Sequence, residues 1–490
     1  MDVDTKALRQ RILTLAIQGK LTDQRKEDGT AQDLYNQIQE EKQKLIKEKK
    51  IKKTKKLPVI TEDEIPFDIP ENWMWVRFLD ILDIRDGTHD TPQYVPKGVP
   101  LITGKNISKG YLDFSTAKQI SYEDAKKINK RSKVDYNDII FAMIGTIGNP
   151  IIIKENVLFS IKNVALLKHF SDLIDMDYVL SYLYWFMKEM NNTAVGVAQK
   201  FVSLGTIRSS IIPLPPLAEQ KRIADKVSSL FVQLDAIDKA YEEYQELQQT
   251  MKSRLLEQAI QGKLTGQRKE DGNAQDLYNQ IQEEKQKLIK EKKIKKEKPL
   301  PEITADEIPF EIPGNWIWVR LNDIVGKTIK RGKSPTYSTT GNVLVFAQKC
   351  NTKPGKININ LAKKLELSVL KKYPEEEFMQ SGDIVINSTG NGTMGRVGFF
   401  TDKDNPDKLK IVPDSHVTTI RVLHDFVDSK YVFCYLKTLQ PLLESSGDGS
   451  TNQKELKPHK IASLCFPLPP LAEQKRIVEK LDKLLPLCEA

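Results

Sequence analysis

Residues 16–53 read AIQGKLTDQRKEDGTAQDLYNQIQEEKQKLIKEKKIKK, and residues 259–296 read AIQGKLTGQRKEDGNAQDLYNQIQEEKQKLIKEKKIKK. The two stretches differ only at Asp23 against Gly266 and at Thr30 against Asn273, so 36 of 38 positions are identical at a constant offset of 243. A fixed offset of this kind marks a duplicated structural unit, and it governs every local reading that follows. The match continues more loosely through Ile65, Pro66, Phe67, Trp73 and Trp75, which align with Ile308, Pro309, Phe310, Trp316 and Trp318. A second block, PLPPLAEQKRI at residues 213–223, recurs at residues 467–477 with an offset of 254, so the second intervening segment is 11 residues longer. Between these blocks, over residues 67–212 and 310–466, the halves diverge along nearly their whole length. Identical frames around unlike contents suit a chain that holds two different recognition modules in equivalent geometry. A pure scaffold has no need of unlike inserts.

The central frame is helical. After Pro215 and Pro216, apolar residues recur at alternating spacings of four and three through Ile223, Val227, Leu230, Leu234, Ile237, Tyr241, Tyr244, Met251 and Leu255, interrupted only by Gln248. That pattern makes a coiled-coil face for helix packing or a partner; the prolines suit its first turn and Gly262 its stop. Residues 217–261 as one helix would span roughly 68 Å. Residues 470–490 repeat the beginning of this helix, and residues 5–20 repeat its end. Joined tail to head they approximate a second copy: residue 490 maps to 236 and residue 5 to 248, leaving about eleven equivalent positions without a counterpart. The expectation is an antiparallel helix pair with the two chain ends near one another. Pro486 falls inside the final helix, where proline costs about 3 kcal/mol, so that helix should kink or end there.

At 490 residues the chain exceeds what one core usually organises. The boundaries expected are an N-terminal helix and lysine-rich arm over 1–66, a module over 67–212, the central helix and second arm over 213–309, a second module over 310–466, and a closing helix over 467–490. The most apolar stretch, residues 179–187, falls short of the roughly 20 residues a membrane span needs, and MDVDTKALRQ has no secretory pattern. Four cysteines, Cys350, Cys434, Cys465 and Cys488, form no paired short spacing, which points to a reducing cytoplasm. Five scattered histidines show no metal-ligand spacing, so no metal is expected. The net charge of +9 permits nucleic-acid binding. Its location matters more: residues 42–56 carry nine lysines against Glu48, and residues 285–298 carry eight lysines against two glutamates. These runs read equally as solvated helices or as phosphate contacts.

Both inserts mix apolar strand-like runs with a later helix (residues 179–190 and 431–443), which makes each a mixed α/β module. DIIFAMIG at residues 138–145, followed by a turn to Gly148, has its counterpart in DIVINSTG at 383–390, followed by a turn to Gly395. Gly390, Gly392 and Gly395 carry the spacing of a dinucleotide fingerprint. That motif needs a helix next, whereas RVGFF at 396–400 reads as a returning strand, so a glycine-rich hairpin is expected. No NPPY or DPPY tetrad for a flipped base is present, nor a strand-turn-helix glycine motif for a methyl donor, which argues against a fused adenine methyltransferase.

The two inserts, the near-identical repeats, the PLPPLAEQ blocks and the circular helix arrangement together resemble the specificity subunits of type I restriction-modification systems. DGTHDTP at residues 86–92 resembles the start of a target-recognition domain, and GDIV at 382–385, DSH at 414–416 and GSTNQ at 449–453 resemble segments of such a domain. The resemblance covers almost the entire chain. It implies an α+β fold with two mixed α/β target-recognition domains separated by long antiparallel coiled-coil helices, a pseudo-two-fold repeat with circular organisation. It further implies a non-catalytic subunit reading a bipartite double-stranded DNA target, flanked by two methyltransferase subunits and completed by restriction and translocase subunits. S-adenosylmethionine, ATP and magnesium would belong to those partners and none to this chain. The alternative is a coiled-coil scaffold that binds no DNA.

Candidate DNA contacts are polar side chains near expected turns and strand ends. In the first module they are Thr88, His89, Lys105, Asn106 and Thr146. In the second they are Arg331, Lys333, Ser334, Tyr337, Gln348, Lys349, Thr389, Arg396, Ser415 and His416. Each has an equally simple reading as an exposed or structural residue.

Overall fold

Proline sets the start of the long helix and glycine its stop. The carbonyl of Pro216 accepts from the Gln220 amide, and from Leu217 the helix runs unbroken to Ile260. Beyond it Lys263 N–H bonds back to Gln258 O and Gly262 takes a φ of 69°, an αL cap that a side chain would strain. A Cβ at Gly262 would also lie 2.4 Å from the Pro313 ring, and one at Gly19, in the equivalent cap of the N-terminal helix Thr5–Ile17, would lie 2.4 Å from Pro70. The computed structural model describes residues 3–143, 148–193, 202–353, 356–447 and 454–488. They form two compact units, 1–242 and 243–490, whose boundary falls within the long helix.

In the first unit the N-terminal helix runs antiparallel to the first half of the long helix. Thr5 Oγ1 donates to Asp238 at 2.6 Å, while Arg9 pairs with Asp238 at 3.0 Å and Asp235 at 2.7 Å. Leu13, Ala16 and Ile17 then share a core with Ile223 and Val227. In the second unit the end of the long helix, at Ala259 and Ile260, shares a core with Ile477 and Leu481 of the closing helix Leu471–Leu484. That helix gives way to a 3-10 turn, Leu485–Cys488, which accommodates Pro486 as expected.

The expected apolar seam is only partly used. Ile223, Val227 and Leu234 are buried, and Leu230 and Leu255 are half-buried. Ile237, Tyr241, Tyr244 and Met251 are 43%, 44%, 44% and 47% exposed, so of the two uses expected for this face, helix packing or a partner, packing within the chain is limited at these positions. Within the first unit the N-terminal helix begins at Thr5, opposite Asp238, so its contacts fall on the earlier part of the face.

The repeated LAEQKR motif closes each frame from inside. Buried Glu219 accepts from Trp73 Nε1 and Gln24 Nε2, both at 2.9 Å, and from Thr22 Oγ1 at 3.2 Å; Glu473 accepts in the same way from Trp316, Gln267 and Thr265. Gln220 takes the Asp175 amide and donates to Pro215 O, and Gln474 takes the Asp428 amide and donates to Pro469 O. Arg222 pairs with Asp28 at 2.5 Å and Arg476 with Asp271 at 2.6 Å. The two ends of each insert meet as an antiparallel strand pair, Met74–Arg77 with Ile211–Leu214 and Ile317–Arg320 with Cys465–Leu468. The lysine-rich runs are not wholly solvated: buried Lys42 donates to the Leu79 and Asp80 carbonyls, and Lys285 donates to the Asn322 carbonyl. Burial lowers the pKa of both.

Each insert is a pair of small sheets, and the α+β class holds. In the first, Asp83–Asp86, Val164–Lys168, Ile139–Ala142 and Gly148–Ile152 lie side by side, all antiparallel. A second sheet sets Tyr94–Ile102 between Lys118–Ile120 and the parallel strand Ser160–Ile161. The second insert repeats this plan with Lys330–Arg331, Val417–Ile420, Ile384–Asn387 and Val397–Phe399. Its other sheet sets Val343–Phe346 between Lys363–Leu365 and the parallel strand Lys410–Pro413, with Tyr337–Ser338 at the edge. Helices Met176–Thr193 and Ser429–Thr438 tie each insert to its frame, Tyr178 donating to Pro213 O and Tyr431 to Pro467 O. Val397–Phe399 returns antiparallel to Ile384–Asn387, so the glycine spacing belongs to a hairpin.

Candidate nucleic-acid interface

The same corner is built in both inserts, among the described residues, from two equivalent turns, with a third in the second insert. The first follows a strand end, where the chain passes so close to a neighbour that only glycine fits. A Cβ on Gly87 would lie 2.3 Å from Ile161 O, and one on Gly332 would lie 2.0 Å from Pro413 O. The next residues, Thr88 and Lys333, bridge Lys162 and Asp414. The amides of Lys162 and Asp414 in turn bond Ile102 O and Phe346 O, which brings in the second turn, Gly104–Ile107 in one insert and Gln348–Cys350 in the other. Lys105 and Lys349 therefore occupy equivalent exposed positions, although nothing in their local sequences aligns them. The carbonyls of Met143 and Ser388, at the ends of equivalent strands, accept from Val202 N–H and Leu456 N–H, and in the second insert a third turn follows from Thr389.

In the first module His89 is exposed and held at both ring nitrogens, Nε2 against Asp86 at 2.8 Å and Nδ1 against Asn163 at 3.0 Å. Asp86 is buried and also pairs with Arg131. Asn106 leaves the interface set: it is buried, its oxygen caps Thr103 N–H and its amide donates to Asp113 O and Thr116 Oγ1. Thr146, and the segment 449–453 of the second module, lie outside the described residues.

In the second module Tyr337, Gln348, Lys349, Lys363, Asp414 and His416 line a recess of 240 Å³. Thr389 Oγ1 lies 2.7 Å from His416 Nδ1, so the third turn touches the Asp414–His416 segment that faces the first. The Lys363 ammonium stands 4.9 Å over the Tyr337 ring, and burial raises the pKa of the Asp414 carboxyl. Arg331 pairs with Glu455. Lys333 is exposed, 3.7 Å from Glu377 and 5.4 Å over the Tyr373 ring, in a cluster with Lys330 and buried Lys327, whose pKa falls to about 8 through burial. Ser334 is exposed and Ser415 half-buried at the same corner. Arg396 instead holds the glycine turn, donating to Asn351 O at 2.8 Å and Gly392 O at 3.3 Å.

Sequence reasoning missed Asp86, Arg131, Lys363 and Glu455. Asp86 opens the DGTHDTP segment and carried the one available signal. Donors and acceptors at such a corner can meet base edges and phosphates. Among the described residues no cluster of three His, Cys, Asp or Glu side chains could hold a metal ion, and no helix is long and apolar enough to cross a membrane.

Comparison with known proteins bears on the same regions. The family model described as type I restriction modification DNA specificity domain matches residues 70–249 and again 313–489. The type I restriction enzyme EcoAI specificity subunit of Escherichia coli is 27% identical across 99% of this chain and 89% of its own length. The EcoEI specificity subunit of the same species is 26% identical over the same shares. A solved chain from work on complex assembly and conformational transition of the type I R-M system superposes with a TM-score of 0.61 at 18% identity, covering 86% of this chain and 93% of that one, a likeness of fold.

Proposed function

Since this chain belongs to the type I restriction-modification DNA specificity family, whose members are non-catalytic sequence-reading subunits, we propose that its two modules read the two halves of a split double-stranded DNA target. The observation that carries this reading is the repeated corner: one backbone plan, two equivalent turns among the described residues, and different side chains on each. A shared scaffold with divergent tips is what two base sequences require of two readers. In the first module Thr88, His89 and Lys105 face the DNA; in the second Arg331, Lys333, Ser334, Tyr337, Gln348, Lys349, Thr389, Ser415 and His416 do. The modules run over residues 67–212 and 310–466, and the helices between them set the spacer.

Two methyltransferase subunits flank the helices, and the exposed stripe of Ile237, Tyr241, Tyr244 and Met251 is the apolar surface offered to them. Restriction and translocase subunits complete the assembly in the cytoplasm, and the partners carry S-adenosylmethionine, ATP and magnesium. The test is exchange of residues 67–212 for the insert of a related subunit, with methylated adenines mapped by single-molecule sequencing. One half of the target should change and the other persist. Change in both halves, or a target without a gap, overturns the reading.

A further inference from the structure

The strand end before the first turn carries Asp86 in one module and Arg331 in the other, at equivalent register. Asp86 lies opposite Ala165 and Arg331 opposite Thr418, each one residue before the tight glycine. Each is half of an ion pair whose other half comes from a different element. Asp86 meets Arg131 at the end of helix Tyr122–Ser132 through one oxygen and His89 through the other. Arg331 meets Glu455, whose backbone bridges Thr389 in the third turn. Polarity is thus reversed between the modules: acid on the strand and base on its neighbour in the first, base on the strand and acid on its neighbour in the second.

Neither pair is a core staple. The Arg131 side chain is 58% exposed above the buried Asp86, and Arg331 and Glu455 are 28% and 38% exposed, so each guanidinium reaches the surface. What a carboxylate does at such a place is fix the plane of the guanidinium while leaving its other N–H groups free to donate. A phosphate contact needs no such fixing, because a phosphate accepts from many directions. A base edge does need it: guanine offers O6 and N7 as a planar pair that an arginine fork matches with two parallel hydrogen bonds.

We infer that Arg131 and Arg331 are guanine-reading side chains of the two modules, and that Asp86 and Glu455 are the positioning residues that aim them. The inference rests on the reading of the corners as DNA-facing, and it names one base that each corner selects. It also gives the reversed polarity a purpose, since either arrangement delivers one oriented guanidinium to the same corner.

The experiment uses the full chain assembled with its methyltransferase partners, mapping methylated sites for Asp86→Asn, Arg131→Lys, Glu455→Gln and Arg331→Lys. The first two should relax the same guanine-bearing position in one half of the target, and the last two a single such position in the other. Preference at that position should fall about tenfold or more. Affinity for non-target duplex should stay level in all four, because a lost carboxylate cannot weaken attraction to phosphates, and melting temperature should stay level for Glu455→Gln and Arg331→Lys, whose pair has no buried member. A mapped half-target with no G·C pair, an unchanged target in these variants, or an affinity that falls evenly across all sequences overturns the inference. Exchange of residues 67–212 separates the two levels. If that exchange re-specifies one half while these four variants do not, the guanine assignment alone fails; if the exchange changes nothing, the corner reading itself is wrong.

Discussion

Trp73 donates its indole N–H to the buried carboxylate of Glu219 at 2.9 Å, joining residues 146 positions apart, and Trp316 repeats the bond to Glu473 at the same distance. Each carboxylate takes three side-chain donors from the loops of its own frame. Glu219→Ala should therefore destabilise the first unit by about 3 kcal/mol, since it strands a buried indole N–H and two further donors. Glu473→Ala should do the same to the second. Hydrogen exchange resolved by peptide checks this: protection should fall over residues 1–242 in one variant and 243–490 in the other.

A buried aspartate makes the first module pH-sensitive. Asp138 is fully buried, bonded by Lys168 at 2.7 Å, and His169 lies 3.5 Å from it, an ion-pair distance. The approach to Asp138 raises the histidine pKa against an opposing effect of burial, with Asp172 reinforcing the shift and Lys168 resisting it. A pKa raised on folding gives stability that is fully present below the unfolded value of about 6.5 and is lost as pH rises through the folded value. Thermal stability of the first unit should thus decline as pH climbs from about 6 through the folded pKa, and His169→Gln should flatten that slope. A slope that survives the substitution would place the titration elsewhere.

Much of this architecture was legible in the chain because its signals are local or repeated. The offset of 243 places two frames, Gly262 and Pro486 end helices where they fall, and RVGFF after Gly395 returns as a strand. The candidate interface was less legible, for two physical reasons. Ion pairs such as Asp86 with Arg131 and Arg331 with Glu455 join residues 45 and 124 positions apart, and no spacing rule reports them. Asn106 looks like any turn asparagine in sequence, yet its oxygen is taken by its own 3-10 cap and its amide by Asp113 O and Thr116 Oγ1. The apolar seam reads as one face in the sequence, but periodicity does not say which part of a face finds cover inside the chain. Leu234 does, whereas Tyr241 does not.

The tight glycines offer a test of module independence. Gly332→Ala would force a methyl to within 2.0 Å of the Pro413 carbonyl, a backbone atom that cannot swing aside. The first turn of the second module should be displaced, at a cost of a few kcal/mol confined to that module. Methylation mapping should show loss of discrimination in one half-target, with the other half still read. Gly87→Ala, whose Cβ would meet Ile161 O at 2.3 Å, should do the reverse.

Burial along the long helix separates two roles that the sequence alone ran together. Leu234 is buried, so Leu234→Asp should unfold the packing of the first helix pair, whose other side is held by Arg9 and Thr5. A charge placed in an apolar contact of that kind costs several kcal/mol. Tyr241 and Tyr244, each 44% exposed, lie on the uncovered part of the same face. The double substitution Tyr241→Asp with Tyr244→Asp should leave the melting temperature within about 2 °C, in keeping with the small effects of surface changes. It should weaken assembly with the methyltransferase subunits by tenfold or more, roughly the loss of one well-packed aromatic anchor. Analytical ultracentrifugation of the mixed subunits reads the assembly, and a thermal melt of this chain reads the fold. Weakened assembly at unchanged stability would assign the stripe to the partner. Unchanged assembly would mean the methyltransferase docks on another face, and the apolar seam beyond Asp238 would then have to be explained without it.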